Sequence, residues 1–338
     1  MIGIGLGSET AFGHPNMHPA HPNLVSAVVV SWNSKAFLIE CLEALTDSAA
    51  QPSLEVIVVD NGSTDGSQAA VRERFPGVVL IDNGENLGFA RATNLGIRHS
   101  HGDYVMFVNS DTRVFPGCIE ALLEFMNTHP DVGMASPRIV GRDGRSQHVV
   151  GRGPSLRSVF RDALGFQEPR CPCCEGPEHD SHAGQMVEVE LIMLCFTIVR
   201  RQAMEKVGLL DEAFFFYGED VDFSKRFRDH GWRLAFVPGP RAFHYGGGSS
   251  ERAPIRFYIE LLRARIQYFR KHGGLRAALA CRCILVMHMV LRLAGYGPKA
   301  LLGAQVADET TRLKAARSMA ALQWLVTGRA PLWARAAP

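Results

Sequence analysis

The chain has 338 residues, 46% of them hydrophobic and 21% charged. That is an ordinary globular composition, and it excludes collagen-like, disordered and disulfide-scaffold classes. At roughly 150 residues per domain, it predicts one large domain with an appendage, or two domains. With 36 Lys and Arg against 34 Asp and Glu, the formal charge of +2 is too balanced for a surface that grips nucleic acid. Eight cysteines are too sparse for a secreted scaffold, and the start shows no basic, apolar and small-residue signal pattern, so cytoplasmic residence with reduced thiols is expected.

Residues 1–23, rich in Gly, His, Pro and Asn, read as a flexible leader. Gly3, Gly5 and Gly7 lack the preceding strand and following helix that a nucleotide fingerprint requires. From Leu24, LVSAVVVS predicts a strand buried on both faces, and Phe37, Leu38, Cys41, Leu42 and Leu45 then fall on one helical face. The alternation continues with strands at 54–60, 78–82 and 104–111 and helices at 64–75, at 88–100 and from Pro116. Such a rhythm predicts an α/β fold with a mostly parallel sheet, whose ligands sit beyond the carboxyl ends of strands.

After His129 the pattern predicts short extended pieces, a long loop or insertion over 151–186, and one long strand at 187–199. A helix from Arg201, an acidic cluster over 217–222, a helix through His230 and a strand at 232–237 follow, and helices run from 254 to about 327.

Asp60 and Asn61 end the second strand in VVDNGSTDGS, where a carboxylate can accept from a nucleobase N–H or a ribose hydroxyl; an Asx turn explains the motif equally well. Asn83 to Asn86 end the third strand, and Arg91 at the next helix start can reach phosphate or base, or stay solvated. Asn109 and Asp111 flank Ser110 past the fourth strand and can face a divalent cation, while Asp111 can instead cap a helix. Glu219, Asp220 and Asp222 crowd the start of a helix beside Tyr217, which is costly unless a cation or a protonation event relieves it; a favourable helix N-terminus explains one or two of them. His244, 24 residues beyond Asp220, precedes Gly246 to Gly248 and can return to the same sheet edge.

In order, VVVSWNS, VVDNGSTDGS, ENLGFARATNLG, VNSDT, FFFYGEDVDF and HYGGGSS resemble family 2 glycosyltransferases of the nucleotide-sugar-binding GT-A fold. They are most similar to bacterial rhamnosyltransferases of cell-wall and O-antigen synthesis, over about residues 24–271. The resemblance implies a catalytic domain over 24–253, a helical region over 254–338, and a nucleoside-diphosphate sugar donor. It implies that Asp60 pairs with the base and that Arg91, with Asn61, Asn86 and Ser110, holds the nucleotide. Asn109 and Asp111 match the Asp-x-Asp motif for Mg²⁺ or Mn²⁺, with His244 assisting, and Asp220 matches the catalytic base. Tyr217, Glu219 and Asp222 fall in the acceptor region.

The acceptor so implied is a glycan or a polyprenyl-diphosphate-linked glycan, although ELIMLCF (190–196) stands where such enzymes usually carry a glycine-containing segment. A single base without a protein nucleophile predicts inversion. A nucleotidyltransferase and a non-catalytic nucleotide-sugar-binding or membrane-scaffold protein are the alternatives.

Two features stand apart. Cys171, Cys173, Cys174, His179 and His182 offer zinc ligands, but in no standard finger spacing, and an unpaired Cys/His-rich insertion fits equally. Arg256, Arg263, Arg265, Arg270 and Lys271 precede the apolar run 284–291, which is too short to span a bilayer but suits an interfacial helix or a buried one. The first choice implies peripheral contact with the inner face of the plasma membrane.

Overall fold

A computed structural model describes residues 21–47, 54–166, 186–246, 253–301 and 309–330. The strands are β1 (His21–Ser31), β2 (Leu54–Asp60), β3 (Val79–Asp82), β4 (Gly102–Asn109), β5 (Thr112–Val114), β6 (Val132–Val140), β7 (Val150–Gly151), β8 (Val187–Glu188), β9 (Leu191–Ile192), β10 (Phe196–Arg200) and β11 (Arg233–His244). The helices are α1 (Lys35–Thr46), α2 (Ser67–Arg74), α3 (Phe89–Arg98), α4 (Cys118–Thr128), α5 (Leu156–Ala163), α6 (Arg201–Val207), α7 (Glu219–Asp229), α8 (Pro254–Leu301) and α9 (Glu309–Thr327).

A nine-stranded sheet has the order β3-β2-β1-β4-β10-β6-β11-β5, with β8 also on β11. Strands β3, β2, β1, β4, β6 and β11 run one way, and β10 is inserted antiparallel between β4 and β6. The carboxyl ends of β1, β2, β4 and β11 therefore share one edge, which is what brings residues 33, 61, 109 and 244 together. The core packs β-branched strand residues such as Val28, Val58 and Ile57 against the apolar faces of α1, α3 and α4.

Three expectations need correction. His21 to Asn23 belong to β1 and not to the leader: the His21 N–H reaches His101 O at 2.8 Å, closing the start of β4 despite a polar sequence. The 187–199 run is three strands, because β8 joins β11, β9 pairs with β7, and only β10 enters between β4 and β6. Its β-favouring sequence carries no turn residue to mark the change of partner. Within 151–186, α5 forms on a reciprocal cap between Ser155 and Ser158 and turns Val159 into a second apolar cluster. The Cys/His group at 171–182 lies outside the described residues.

That second cluster lies under α8 and α9, where Leu262, Phe269, Cys281, Leu285 and Met289 meet Ala321 and Leu325. Helix α8 bends at Gly274, whose φ of 73° and ψ of −173° no helix sustains. Its stretch Pro254–Tyr296 is long and apolar enough to cross a membrane by length and composition, with 22% of its most apolar window buried. Leu279, Ala280, Cys281 and Cys283 before 284–291, and Leu293 and Ala294 after it, extend the apolar pattern beyond that run.

Candidate active site

A cleft of ≈ 350 Å³ opens at the shared carboxyl edge. Asn61, Asn86, Asn109, Ser110, Asp111, Tyr217, Glu219, Asp220 and His244 all line it. Asp60, Arg91 and Asp222 do not.

One wall is built from amides. The Asn61 amide donates to Asn86 Oδ1 at 3.1 Å and to Gly88 O at 3.2 Å, while its Oδ1 accepts from Asn83 and from the Leu87 N–H. The loops after β2 and β3 are thereby locked together, and Ser34 joins Ser110 at 2.9 Å across the loops after β1 and β4. Asp60 is instead fully buried: its Oδ1 accepts from the Ser63 N–H and the Gln68 amide, and its Oδ2 has no partner among the described residues. Burial pushes its carboxyl above the ordinary range. As the last residue of β2 it holds the turn, and the pleat presents the next residue, Asn61, to the cleft. Arg91 points away because Ala90, Ala92, Thr93 and Asn94 are the buried face of α3, and it meets Glu212 at 3.9 Å.

The opposite end holds Asp111 and His244, 3.3 Å apart between Oδ1 and Nε2, both largely buried. The Gln147 amide donates to His244 O at 2.8 Å, which turns its Oε1 toward His244 Nδ1, also at 2.8 Å. That contact places the imidazole proton on Nδ1 and leaves the Nε2 lone pair facing the Asp111 carboxylate. The Asn109 amide is 3.4 Å from the same nitrogen, and the Gly246 N–H donates to Asp111 Oδ2 at 3.1 Å. An imidazole lone pair and a carboxylate facing one another, with the ring fixed by a second residue, suit a divalent cation. No group of three His, Cys, Asp or Glu side chains able to hold an ion is present among the described residues. A cation here would have two such protein ligands and leave positions open for substrate phosphate, as Mg²⁺ sites commonly do.

The third side is the start of α7. Tyr217 takes a φ of 68°, unusual for a non-glycine, and Gly218 follows at 84°. A Cβ on Gly218 would come within 2.9 Å of Ala264 Cβ. This kinked entry aims Glu219 and Asp220 into the cleft. Burial, with Asp220 alongside, holds the Glu219 carboxyl well above its ordinary range, and its Oε2 is unpaired among the described residues. Burial also raises Asp220, whose Oδ1 accepts from the Val221 N–H at 2.8 Å. Asp222, expected near the acceptor, faces the opposite way. One helical position beyond Val221 points it at α8, where Lys271 and His272 each contact Oδ1 at 2.8 Å, while Arg226 donates to Oδ2.

Several lining residues carried no sequence signal. Trp32, Phe37, Met193 and Leu194 read as core, and Gln147 sits in an unremarkable extended piece. Arg256 and Phe257 enter from the first turn of α8, 36 residues beyond Asp220, with Phe257 against Phe216 at 4.9 Å.

The profile of the family described as Glycosyl transferase family 2 matches residues 26–175. An N-acetylglucosaminyl-diphospho-decaprenol L-rhamnosyltransferase of Mycobacterium tuberculosis is 29% identical over 292 residues, 80% of this chain and 95% of that protein. A dTDP-rhamnosyl transferase of Shigella flexneri is 22% identical over 80% of this chain and 88% of its own length. Among solved structures, a mannosyltransferase from Pyrobaculum calidifontis in complex with GDP-Man and Mn²⁺ superposes with a TM-score of 0.55 at 18% identity, covering 93% of this chain and 90% of that one.

Proposed function

Since the chain is a family 2 glycosyltransferase of the GT-A fold, we propose that it transfers a rhamnose-type sugar, with inversion, from a nucleoside-diphosphate donor to a hydroxyl of a lipid-diphosphate-linked glycan. The observation that carries this reading is the convergence of Asp220 and the Asp111–His244 pair on one cleft. Asn61, Asn86 and Ser110 line the donor end. Asp111 and His244, with Asn109 beside them, would hold Mg²⁺ or Mn²⁺, which neutralises charge on the departing diphosphate. Asp220 takes the proton of the acceptor hydroxyl as its oxygen bonds to the anomeric carbon and the bond to the diphosphate oxygen breaks. With one base and no protein nucleophile in the scheme, the anomeric centre inverts.

The choice of sugar and acceptor follows the two similar rhamnosyltransferases, whose names carry rhamnose and, for one, a decaprenyl-diphosphate acceptor. A lipid-linked acceptor requires contact with a leaflet. The exposed apolar residues of α8 and α9 support a peripheral position on the inner face of the plasma membrane.

The test is incubation of the purified chain with a panel of nucleotide sugars and lipid-linked acceptor analogues, with Mn²⁺ or with chelator. Nucleoside diphosphate and a glycosylated acceptor of inverted anomeric configuration are expected only with the metal. Release of pyrophosphate from nucleoside triphosphates, or no product, sinks the proposal.

A further inference from the structure

Helices α8 and α9 carry twelve Lys and Arg residues against two acids, Glu260 and Glu309. Part of this excess gathers at one place between the two arms of α8 and α9. The arm before the bend contributes Tyr258 and Arg265, the arm after it Arg292 and Tyr296, and α9 contributes Lys314, Arg317 and Ser318. Arg292 lies over both tyrosines, 6.0 Å from Tyr258 and 5.6 Å from Tyr296, and its Nε donates to Ser318 Oγ at 3.2 Å. Lys314 stands 5.5 Å from the Tyr296 ring. Arg265 lies two turns along α8 on the same face as Tyr258, and Arg317 one turn beyond Lys314 on α9; burial raises the Tyr258 hydroxyl, and the charges of Arg292, Arg265 and Arg317 oppose that rise.

No carboxylate pairs with Arg265, Arg292, Lys314 or Arg317 among the described residues; Glu260 is taken by Arg263 at 3.4 Å. The Nε of Arg317 is buried without any hydrogen-bond partner there. Gathering like charges and shielding a guanidinium N–H from water both cost free energy, which an anion would recover. Guanidinium groups converging with a hydroxyl match the oxygens of a phosphate.

The neighbouring surface indicates where that phosphate comes from. Leu275, Leu279, Val290 and Leu291 on α8 and Met319 and Val326 on α9 are exposed. Arg282, which shares the side of Leu275 and Leu279 on α8, is drawn to Leu325 O on α9 at 2.7 Å. A soluble phosphate has no use for that face, whereas a bilayer offers hydrocarbon and phosphate together.

We propose that Arg265, Arg292 and Arg317, closed by Lys314, form a binding site for the phosphate of an anionic lipid headgroup. The inference rests on the membrane-surface reading above and adds a specific site to it.

The test uses the full chain, sedimented at physiological salt with phosphatidylcholine vesicles with or without phosphatidylglycerol. Wild type should bind the anionic vesicles. R265Q/R317Q should bind them roughly thirtyfold more weakly, since each cation near an anionic surface contributes a factor of about five. R270Q/R276Q, which removes two exposed cations outside the cluster, should lose less. If the double variant does not fold, R265Q and R317Q alone, each expected to lose about fivefold, carry the same test.

Equal losses in both double variants, or none, overturn the site while leaving the membrane reading intact. Absence of wild-type binding overturns both. Inorganic phosphate that stabilises wild type but not R265Q/R317Q against heat, with vesicle binding alike in the two, assigns the site to a soluble anion and overturns the lipid source. Sugar transfer to a water-soluble acceptor analogue reads the catalytic proposal separately, and it should persist in R265Q/R317Q.

Discussion

Helix α7 has two faces that treat the same functional group in opposite ways. Toward the cleft, the buried Glu219 and the half-buried Asp220 have no cation partner among the described residues, and their carboxyls are raised. Toward α8, Asp222 is more deeply enclosed, yet Arg226 and Lys271 outweigh the burial that would lift it, and it is held below its ordinary range. The cleft face keeps proton affinity, as the proposed base requires, whereas the α8 face uses its charge to fasten the helix. What separates them is less the depth of burial than the partners that come with it.

The largest expected effect breaks the cleft face. Asp220→Asn leaves shape and donor contacts in place but cannot take a proton, so turnover should fall by about 10²–10⁴-fold. Donor affinity, measured by calorimetry on the same protein, should stay within about twofold, because general-base catalysis acts on the acceptor hydroxyl. Near-normal turnover would remove Asp220 from the role of base.

The α8 face breaks differently. Asp222→Ala strands Arg226 and Lys271 beside an emptied, buried position and should destabilise the fold by about 3–5 kcal/mol. Where the variant folds, it should retain donor binding. Urea denaturation beside donor titration checks both, and a loss of donor affinity with unchanged stability would return Asp222 to the site.

How these carboxylates divide was beyond the reach of the sequence, although much around them was not. The βα alternation predicts β1 to β4, and the rule for strand ends predicts the cleft that Asn61, Asn109 and Asp111 line. Local pattern fails where the decisive neighbour is distant. Asp60 and Asn61 are equally good candidates in the chain, and only the pleat and the Gln68 bond turn the first inward. Glu219 and Asp222 differ because Lys271 and His272 arrive from 49 and 50 residues beyond Asp222. The family resemblance supplied positions for Asp220 and His244, but no periodicity marks Gln147 or Arg256.

Gln147 sharpens the comparison at the proposed cation end. Gln147→Ala frees the His244 ring and its tautomer, so Mn²⁺ affinity in the presence of a non-transferable donor should fall by about 10-fold or more. The variant should also need a higher metal concentration for half-maximal turnover. If metal affinity and turnover are both unchanged, Gln147 does not orient the imidazole.

The smallest effect concerns stability and has the opposite sign from the Asp222 variant. Glu219 holds its proton in the folded chain at pH values where the unfolded chain has released it near the ordinary glutamate value of 4.5. Above that value the unfolded state binds fewer protons, so wild-type stability declines with rising pH until the folded carboxyl also ionises. Glu219→Gln removes this titration while keeping the shape. Its melting temperature should match wild type below pH 4.5 and exceed it increasingly toward neutrality. Asp222 gives the mirror image: its lowered carboxyl stabilises the fold above the ordinary aspartate value of 3.8 and loses that contribution as pH falls. Melting curves of wild type, Glu219→Gln and Asp222→Asn across acid and neutral pH therefore read the two faces of α7 independently. A Glu219→Gln curve that runs parallel to wild type at every pH means that Glu219 ionises normally, and the contrast between the faces then rests on Asp220 alone.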